Sequence, residues 1–491
     1  MMQGAIKALV APVLTGLLTG CIQLGPDFER PQPEAKMPAS YQSYTSDTRR
    51  EPLPAPEDRW WENFNNPQIN QLVTRVLNRN LDIQQAAAVI QEMEARVIQT
   101  RADRFPSLGF QGQGAREQRS ETNYVPGSNL SLGGATSSYS LSLPASFELD
   151  LWGKLARAEE ASRAQLLQAE ENRLALSQSV IAEAVSLQLQ IEALERRIRI
   201  SEQSIRNYQR SARLVEARYE RGLSPVLDVR QARRTLARAQ SELPSLRQEL
   251  GVAQQNLAVL TGEYPKTAQP LPQPEDYYKP LAPVPPGIPS ELLLRRPDLR
   301  AAEAQLKSLN AQVGVAKASR FPSISLTGSF GYSSTELSQL FDPKSELWSL
   351  AMGLTQPIFD AGRLKAGQRA AEARYRQGVA EYAKTVLKAF SEVEGALLTR
   401  KEQLARRKRV LNFLKEARSA QKLAESRYNR GLVDYLTVLS AQITRFGAEA
   451  DLVLVDMAIL TNRVTLHRAL GGGWGAPSPP DKTNGEQPNH G

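Results

Sequence analysis

The sequence predicts a mainly α-helical chain with a small amphipathic β-sheet, built twice in tandem from paired strands and long helical hairpins. Three observations predict it. The first is duplication: Lys317, Ala318, Ser319, Arg320, Phe321, Pro322 and Ser323 repeat Arg101, Ala102, Asp103, Arg104, Phe105, Pro106 and Ser107, and Asp298 answers Asp82 at the same offset. Gly362, Arg363 and Leu364 likewise repeat Gly153, Lys154 and Leu155, and Arg427, Tyr428, Asn429, Arg430, Gly431 and Leu432 repeat Arg218, Tyr219, Glu220, Arg221, Gly222 and Leu223. This second offset is slightly shorter, so the first copy carries the longer loop between Ser107 and Gly153. A unit of roughly 200 residues is far longer than solenoid periods of about 20 to 50. The second observation is four segments of period-two alternation, and the third is two long stretches without proline, Pro144 to Pro225 and Pro357 to Pro477.

The N-terminus, 1–20, reads as a secretory signal: Lys7 precedes an apolar run from Ala8 to Leu18, too short for the about 20 residues a spanning helix needs. Cys21 follows Leu18, Thr19 and Gly20, a pattern that resembles a bacterial lipobox, so Cys21 is the expected lipidation site and mature N-terminus. Ile22 stands where that resemblance would associate an aspartate with inner-membrane retention, which implies export to the outer membrane. Residues 21–59 are rich in Pro, Ser and Tyr and are expected to run extended as a tether. The first repeat then occupies 60–266, opening on Trp60, Trp61 and Phe64 and on a helix near Pro67 with Ile69, Leu72, Val76 and Leu77 on one face, continuing to about Arg101.

Strands are expected at about 105–118, 138–150, 321–333 and 346–358. In Tyr139, Leu141, Leu143, Ala145, Phe147 and Leu149 the apolar residues share one face, with Ser140, Ser142, Ser146 and Glu148 on the other. Leu108 and Phe110 alternate with Ser107, Gln111 and Gln113; Ile324, Leu326, Phe330 and Tyr332 with Ser323, Ser325, Thr327 and Ser329; and Trp348, Leu350, Met352 and Leu354 with Ser349, Ala351, Gly353 and Thr355. Each segment has the about 10 residues of a tilted bilayer-crossing strand, and the joining loops are polar and Ser-rich. Four strands cannot close a barrel, because an open edge in lipid leaves backbone groups unpaired. Oligomerisation is therefore required, and three copies give twelve strands.

A continuous helix from Lys154 to Arg221 would extend about 100 Å. Val180, Ala184, Leu187, Ile191, Leu194, Ile198, Ser201, Ile205, Tyr208, Ala212, Val215 and Tyr219 form a seam along it at spacings of four and three. The second copy's stripe, through Val393, Leu397, Leu404, Leu411 and Leu414, is interrupted by Arg and Lys. Each rod ends in Arg221–Gly222 or Arg430–Gly431, where glycine suits a left-handed C-terminal turn and arginine complements the helix end. Ser224 with Pro225 and, in the second copy, Asp434 are expected to start helices that return to about Gly262 and Leu470. Pro244 is expected to kink the first return. A Pro-rich linker occupies 267–289, the second repeat 290–474 and a polar tail 475–491.

The net charge of +9 is spread along helices beside Glu, as at Arg196, Arg197 and Arg199 with Glu192, Glu195 and Glu202, which describes solvated faces rather than a nucleic-acid surface. One cysteine excludes an internal disulfide, and two histidines, His467 and His490, leave little for metal or acid–base chemistry. No GxSxG element, P-loop or metal spacing appears, and the nearest acid pair, Glu148 with Asp150, has no histidine beside it. The reading is of a non-enzyme without cofactor or metal. A periplasmic coiled-coil adaptor or scaffold lipoprotein is the alternative, and it leaves the four amphipathic strands without a purpose.

Together these features resemble the TolC-like outer membrane factors, in the lipoprotein branch serving RND efflux systems. The residues carrying the resemblance include Gly25, Pro26, Asp27, Phe28, Arg30 and Pro31, then Trp60, Trp61, Phe64 and Pro67, and finally Ala469, Leu470, Gly471, Gly472, Gly473 and Trp474. The resemblance implies a homotrimeric duct, with a twelve-stranded barrel in outer membrane lipid continuing into a trimeric α-barrel in the periplasm. It implies as partners a periplasmic adaptor protein and an inner-membrane RND transporter. By the same resemblance, Arg221, Gly222, Leu223 and Ser224 with Arg430, Gly431 and Leu432 form the adaptor-docking tips. Family tunnels close at the tip with acidic rings, and Glu425 is the nearest carboxylate on its rod, a possible periplasmic gate.

Overall fold

The structure is a computed structural model and describes residues 23–31, 38, 40–43, 59–120, 134–265, 278, 281, 284 and 292–472. Cys21, the signal segment, most of the linker and the tail lie outside the described residues, as do His490 and Trp474. The longer helices among the described residues are α1 (Pro67–Arg79), α2 (Leu81–Ala102), α3 (Lys154–Glu220), α4 (Val226–Leu260), α5 (Pro297–Ala318), α6 (Arg363–Asn429) and α7 (Tyr435–Ala469). The strands are β1 (Ser107–Leu108), β2 (Gln111–Arg119), β3 (Gly134–Leu149), β4 (Ser323–Ser334) and β5 (Glu346–Thr355). The duplication is visible in helix lengths: α3 and α6 have 67 residues each, and α4 and α7 have 35 each.

The chain divides into two compact units, Met1–Gln32 with Val89–Ala169 and Ala301–Tyr382, and Pro33–Ala88 with Glu170–Arg300 and Ala383–Gly491. The first holds one antiparallel sheet in which β1 and β2 pair with β3, β3 with β4, and β4 with β5. β1 and β2 are one ribbon in a single register, Leu108 opposite Ala145 and Gln111 opposite Ser142, so the expected first strand is interrupted rather than shifted. The cause is Pro144, which faces Gly109: Gly109 donates to the Pro144 carbonyl at 2.9 Å, but proline has no N–H to return. β5 ends at Thr355, short of the expected 358, because Pro357 cannot donate to a continuing ladder.

In the same unit the N-terminal segment is held rather than loose. Gly25, at φ +113°, crosses Gly314 so closely that an added Cβ would stand 2.7 Å from the Gly314 Cα. Asn310 donates to the Pro26 carbonyl at 2.8 Å, Leu24 N–H to the Trp152 carbonyl at 3.1 Å, and the buried Arg157 to Asp27 at 2.9 Å.

The second unit packs Trp60, Trp61, Ile69 and Val73 against Ile181, Val185, Leu189, Leu460 and Val464. The single helix expected from Pro67 to about Arg101 is broken at Asn80, whose extended backbone ends α1 and whose Oδ1 accepts from Ile83 N–H at 3.0 Å to start α2. The α3 seam is buried or half-buried from Val180 to Val215, and Tyr219 alone is exposed. The helix α4 continues through Pro244.

The interrupted stripe of α6 has a structural cause. Tyr278 of the linker lies under the Arg407 guanidinium, 3.7 Å from ring centroid to Cζ, and Arg407 also pairs with Asp456 at 2.6 Å. Tyr278, Leu281 and Val284 share a pocket with Arg400, Leu404 and Leu466, so this stretch of α6 meets the linker instead of a continuous helix seam. The tether is anchored here too: Tyr41 is buried, and the backbone N–H groups of Gln42 and Ser43 donate to Glu394. His467 is buried and stacks on Trp60 with ring centroids 5.2 Å apart.

Candidate functional site

Two surfaces are built for contact with something other than this chain. The first is the apolar face of the sheet. Cross-strand partners align in rows, Leu143 with Phe330 and Trp348, and Phe147 with Leu326 and Met352. These rows are in the open: Phe110 is 74% exposed, Trp348 74%, Leu350 78%, Met352 73% and Leu354 69%. An apolar ladder of this extent in water costs about 25 cal/mol per Å² left unburied, so it demands a lipid or protein cover. The opposite face carries Ser140, Ser142, Ser146, Ser325, Thr327 and Ser329, which places the polar side of the same ribbons together.

At the base of the sheet, Glu148 accepts from Lys154 Nζ at 2.9 Å and Asp150 accepts from Ala156 N–H at 2.8 Å. Glu148 and Asp150 are thus both engaged at the start of α3, one pairing with Lys154 and the other accepting from the helix backbone.

The second surface is the pair of hairpin turns. Leu223 N–H donates to the Arg218 carbonyl at 2.8 Å and Gly222 N–H to that of Tyr219 at 2.9 Å; Leu432 and Gly431 repeat both bonds to Arg427 and Tyr428 at 2.9 Å. Gly222 at φ +71° and Gly431 at φ +73° take the left-handed conformation this closure requires. Leu223 and Leu432 are then driven outward, 63% and 67% exposed, with Leu227 at 60%. Arg221 and Arg430 are exposed and Ser224 is half-buried. Ser224 does not cap the returning helix: the N-cap position belongs to Pro225, without a side-chain bond, because proline after serine draws the chain into an extended turn. Asp434 does cap, accepting from Thr437 N–H at 2.9 Å and from its hydroxyl at 2.6 Å.

Beneath the turns lies one apolar cluster, including Tyr208, Val215, Val229, Tyr428, Tyr435, Leu439 and Phe446, to which α3, α4, α6 and α7 all contribute. Burial pushes the Tyr435 hydroxyl up to about 12. Burial first, and then the charge of Asp434 at the start of the other return helix, raise the Asp228 carboxyl from its ordinary value. The Asp434 carboxyl is lowered by its bonds from the Thr437 hydroxyl and backbone.

Glu425 is not a freely projecting carboxylate. Its Oε1 accepts from Gln421 Nε2 at 2.7 Å and from Gln442 Nε2 at 3.0 Å, and Ser211 in turn bonds the Gln442 side chain. This links α6, α7 and α3 through a buried amide. Sequence reasoning missed Gln442; its signal was a polar residue on the apolar stripe Tyr435, Val438, Leu439 and Phe446.

The residues 72–263 and 288–472 match the family model of the outer membrane efflux proteins, one stretch per repeat. The cation efflux system protein CusC of Escherichia coli is 33% identical over 462 residues, covering 93% of this chain and 96% of its own. The pyoverdine export outer membrane protein OpmQ of Pseudomonas putida is 34% identical over 446 residues, covering 90% and 93%. Among solved structures, the outer-membrane channel OprN superposes with a TM-score of 0.84 at 30% identity, covering 92% of this chain and 99% of its own. The open state of the MtrE channel of Neisseria gonorrhoeae gives 0.80 at 26%, covering 92% and 98%. With both repeats matched and the greasy sheet and paired hairpins in place, the chain belongs to the outer membrane efflux protein family.

Proposed function

We propose that three copies of this chain form a passive exit duct through the outer membrane, through which small molecules leave after an inner-membrane RND transporter has supplied the energy. The observation that carries this reading is the sheet: an exposed apolar ladder on one face, a polar face behind it and two open edges. An adaptor or scaffold lipoprotein has no use for such a sheet. The relatives' names differ in cargo, cation against pyoverdine, so membership alone selects none.

Lipidation of Cys21 supplies the anchor, and its support is the short described segment that follows, with Leu24 bonded to Trp152 at the foot of β3. The tips, with Arg221, Gly222, Leu223 and Ser224 and with Arg430, Gly431 and Leu432, dock a periplasmic adaptor. Exposed leucines enter a groove and flanking arginines supply charged hydrogen bonds. Glu425 acts at the gate by tying α6 to α7 and α3 through Gln442, and its release lets the hairpins part.

Planar bilayers test the reading. The purified, detergent-extracted chain is expected to run as a heat-modifiable trimer and insert stepwise conductances, and a tagged chain is expected to retain an adaptor and an RND transporter on crosslinking in cells. A monomer without conductance rejects the duct.

A further inference from the structure

The two open edges of the sheet match each other in backbone phase, and the duplication selects one register for them. Because Gly109 donates to Pro144, the odd-numbered residues of β1 and β2 turn their N–H and C=O groups to β3, and Leu108, Phe110, Gly112 and Gly114 turn theirs to the open edge. Carried across β3, β4 and β5 through the observed pairings, the same alternation turns the backbone groups of Trp348, Leu350, Met352 and Leu354 to the opposite edge. On both edges these are also the residues of the apolar face. Edge-to-edge pairing that satisfies the backbone therefore also keeps grease on one side.

Register follows from the internal copy. β5 is the repeat of β3, since Thr355 faces Ser323 as Ser146 faces Ser107. β1 with β2 is the repeat of β4. Within the chain, β3 and β4 set Ala145 opposite Gly328 and Leu143 opposite Phe330. Moved by one repeat, these pairs become Leu354 opposite Gly112 and Met352 opposite Gly114 of another copy, small residues receiving large ones.

We infer that β5 of one copy pairs antiparallel with β1 and β2 of a second copy, with Leu354 opposite Gly112, Ala351 opposite Ala115 and Met352 opposite Gly114. The contact is head-to-tail, the kind that forms a ring when the rotation between copies closes; it rests on the trimeric reading, which supplies that closure, and deepens it.

Disulfide trapping in outer membranes tests it with the full chain. Ala115→Cys with Ala351→Cys places two thiols at a non-hydrogen-bonded pair, where Cα atoms stand about 4.5 Å apart, within the about 4.4 to 6.8 Å a disulfide spans. Gln113→Cys with Gly353→Cys is a second pair in the same register. Ala115→Cys with Gly353→Cys, or with Ser349→Cys, is shifted by two residues, to about 7 to 8 Å. With copper phenanthroline the two matched pairs are expected to give covalent trimers on non-reducing gels and the shifted pairs to remain monomers. Native mass spectrometry of each unoxidised variant reads assembly separately. A trimer that crosslinks only through a shifted pair, or through none of the four, overturns the register alone; a monomer overturns the register and the trimer together.

Discussion

Trp152 lies over Phe321 with ring centroids 5.1 Å apart and donates its indole N–H to the carbonyl of Pro322 at 2.7 Å. One residue at the end of the first copy's second strand thus fastens the beginning of the second copy's first strand, at the foot of the β3–β4 pair. Trp152→Phe keeps the ring contact and loses the hydrogen bond, an expected cost of about 1 kcal/mol. Trp152→Ala loses both, about 3 to 5 kcal/mol. The temperature at which oligomer gives way to monomer on gels is expected to fall slightly for the first and steeply for the second; equal values would show that the indole bond carries nothing.

The glycines at the tips are required by backbone angle and not by space, since an added Cβ at Gly222 or Gly431 meets nothing within 4 Å. Gly222→Ala and Gly431→Ala are each expected to destabilise the turn by about 1 kcal/mol, and Gly→Asn by less. Hydrogen exchange at the Leu223 and Leu432 amides, which close the turns, is expected to speed up accordingly. Leu223→Asp with Leu432→Asp is expected to leave these amides protected while adaptor copurification is lost.

Asp228 and Asp434 have opposite pH signatures. The raised carboxyl of Asp228 favours the protonated form in the folded tip, so its contribution is present at acid pH and is lost as pH rises through its folded value. The lowered carboxyl of Asp434 contributes above its unfolded value and is lost as pH falls. Asp228→Asn is therefore expected to slow tip hydrogen exchange at neutral pH and to have no effect below the carboxylate range, whereas Asp434→Asn speeds it at neutral pH. A pH-independent effect of Asp228→Asn would reject the coupling.

Burial, and secondarily Arg463, lower the His467 imidazole from 6.5 to about 3. The unfolded chain takes up the proton first, so stability contributed by the neutral ring is complete above pH 6.5 and drains as pH falls toward 3. The whole effect is on the order of a few kcal/mol. His467→Phe keeps the stack on Trp60 and is expected to flatten the acid limb of thermal unfolding between those limits; an unchanged limb would place the proton uptake elsewhere.

Much of this architecture is written in local pattern. The strands show because apolar and polar residues alternate from Tyr139 to Leu149, and the long rod because Val180 to Val215 keep one face. The break at Asn80 was hidden because the periodicity of α1 passes into α2 while one side chain ends the first helix and begins the second. Ser224 looked like a cap because serine before proline is one in many helices; here the turn places Pro225 there. Glu425 could be located on its rod by counting, but its bond to Gln442 joins two helices and no spacing within either reveals it.

Alone, the sequence determined the duplication, because a repeat is visible as identity of residues, and the faces of the strands, the two rods and the glycine turns, because each of these depends on neighbours within a few residues. Tertiary structure decided that β3 pairs with β4 across the two copies, that Trp152 covers Phe321, that Tyr278 takes the place of a helix seam beneath Arg407 and that Glu425 is held by Gln442. These depend on which distant segments meet, and that is set by burying apolar surface and satisfying backbone groups over the whole chain at once.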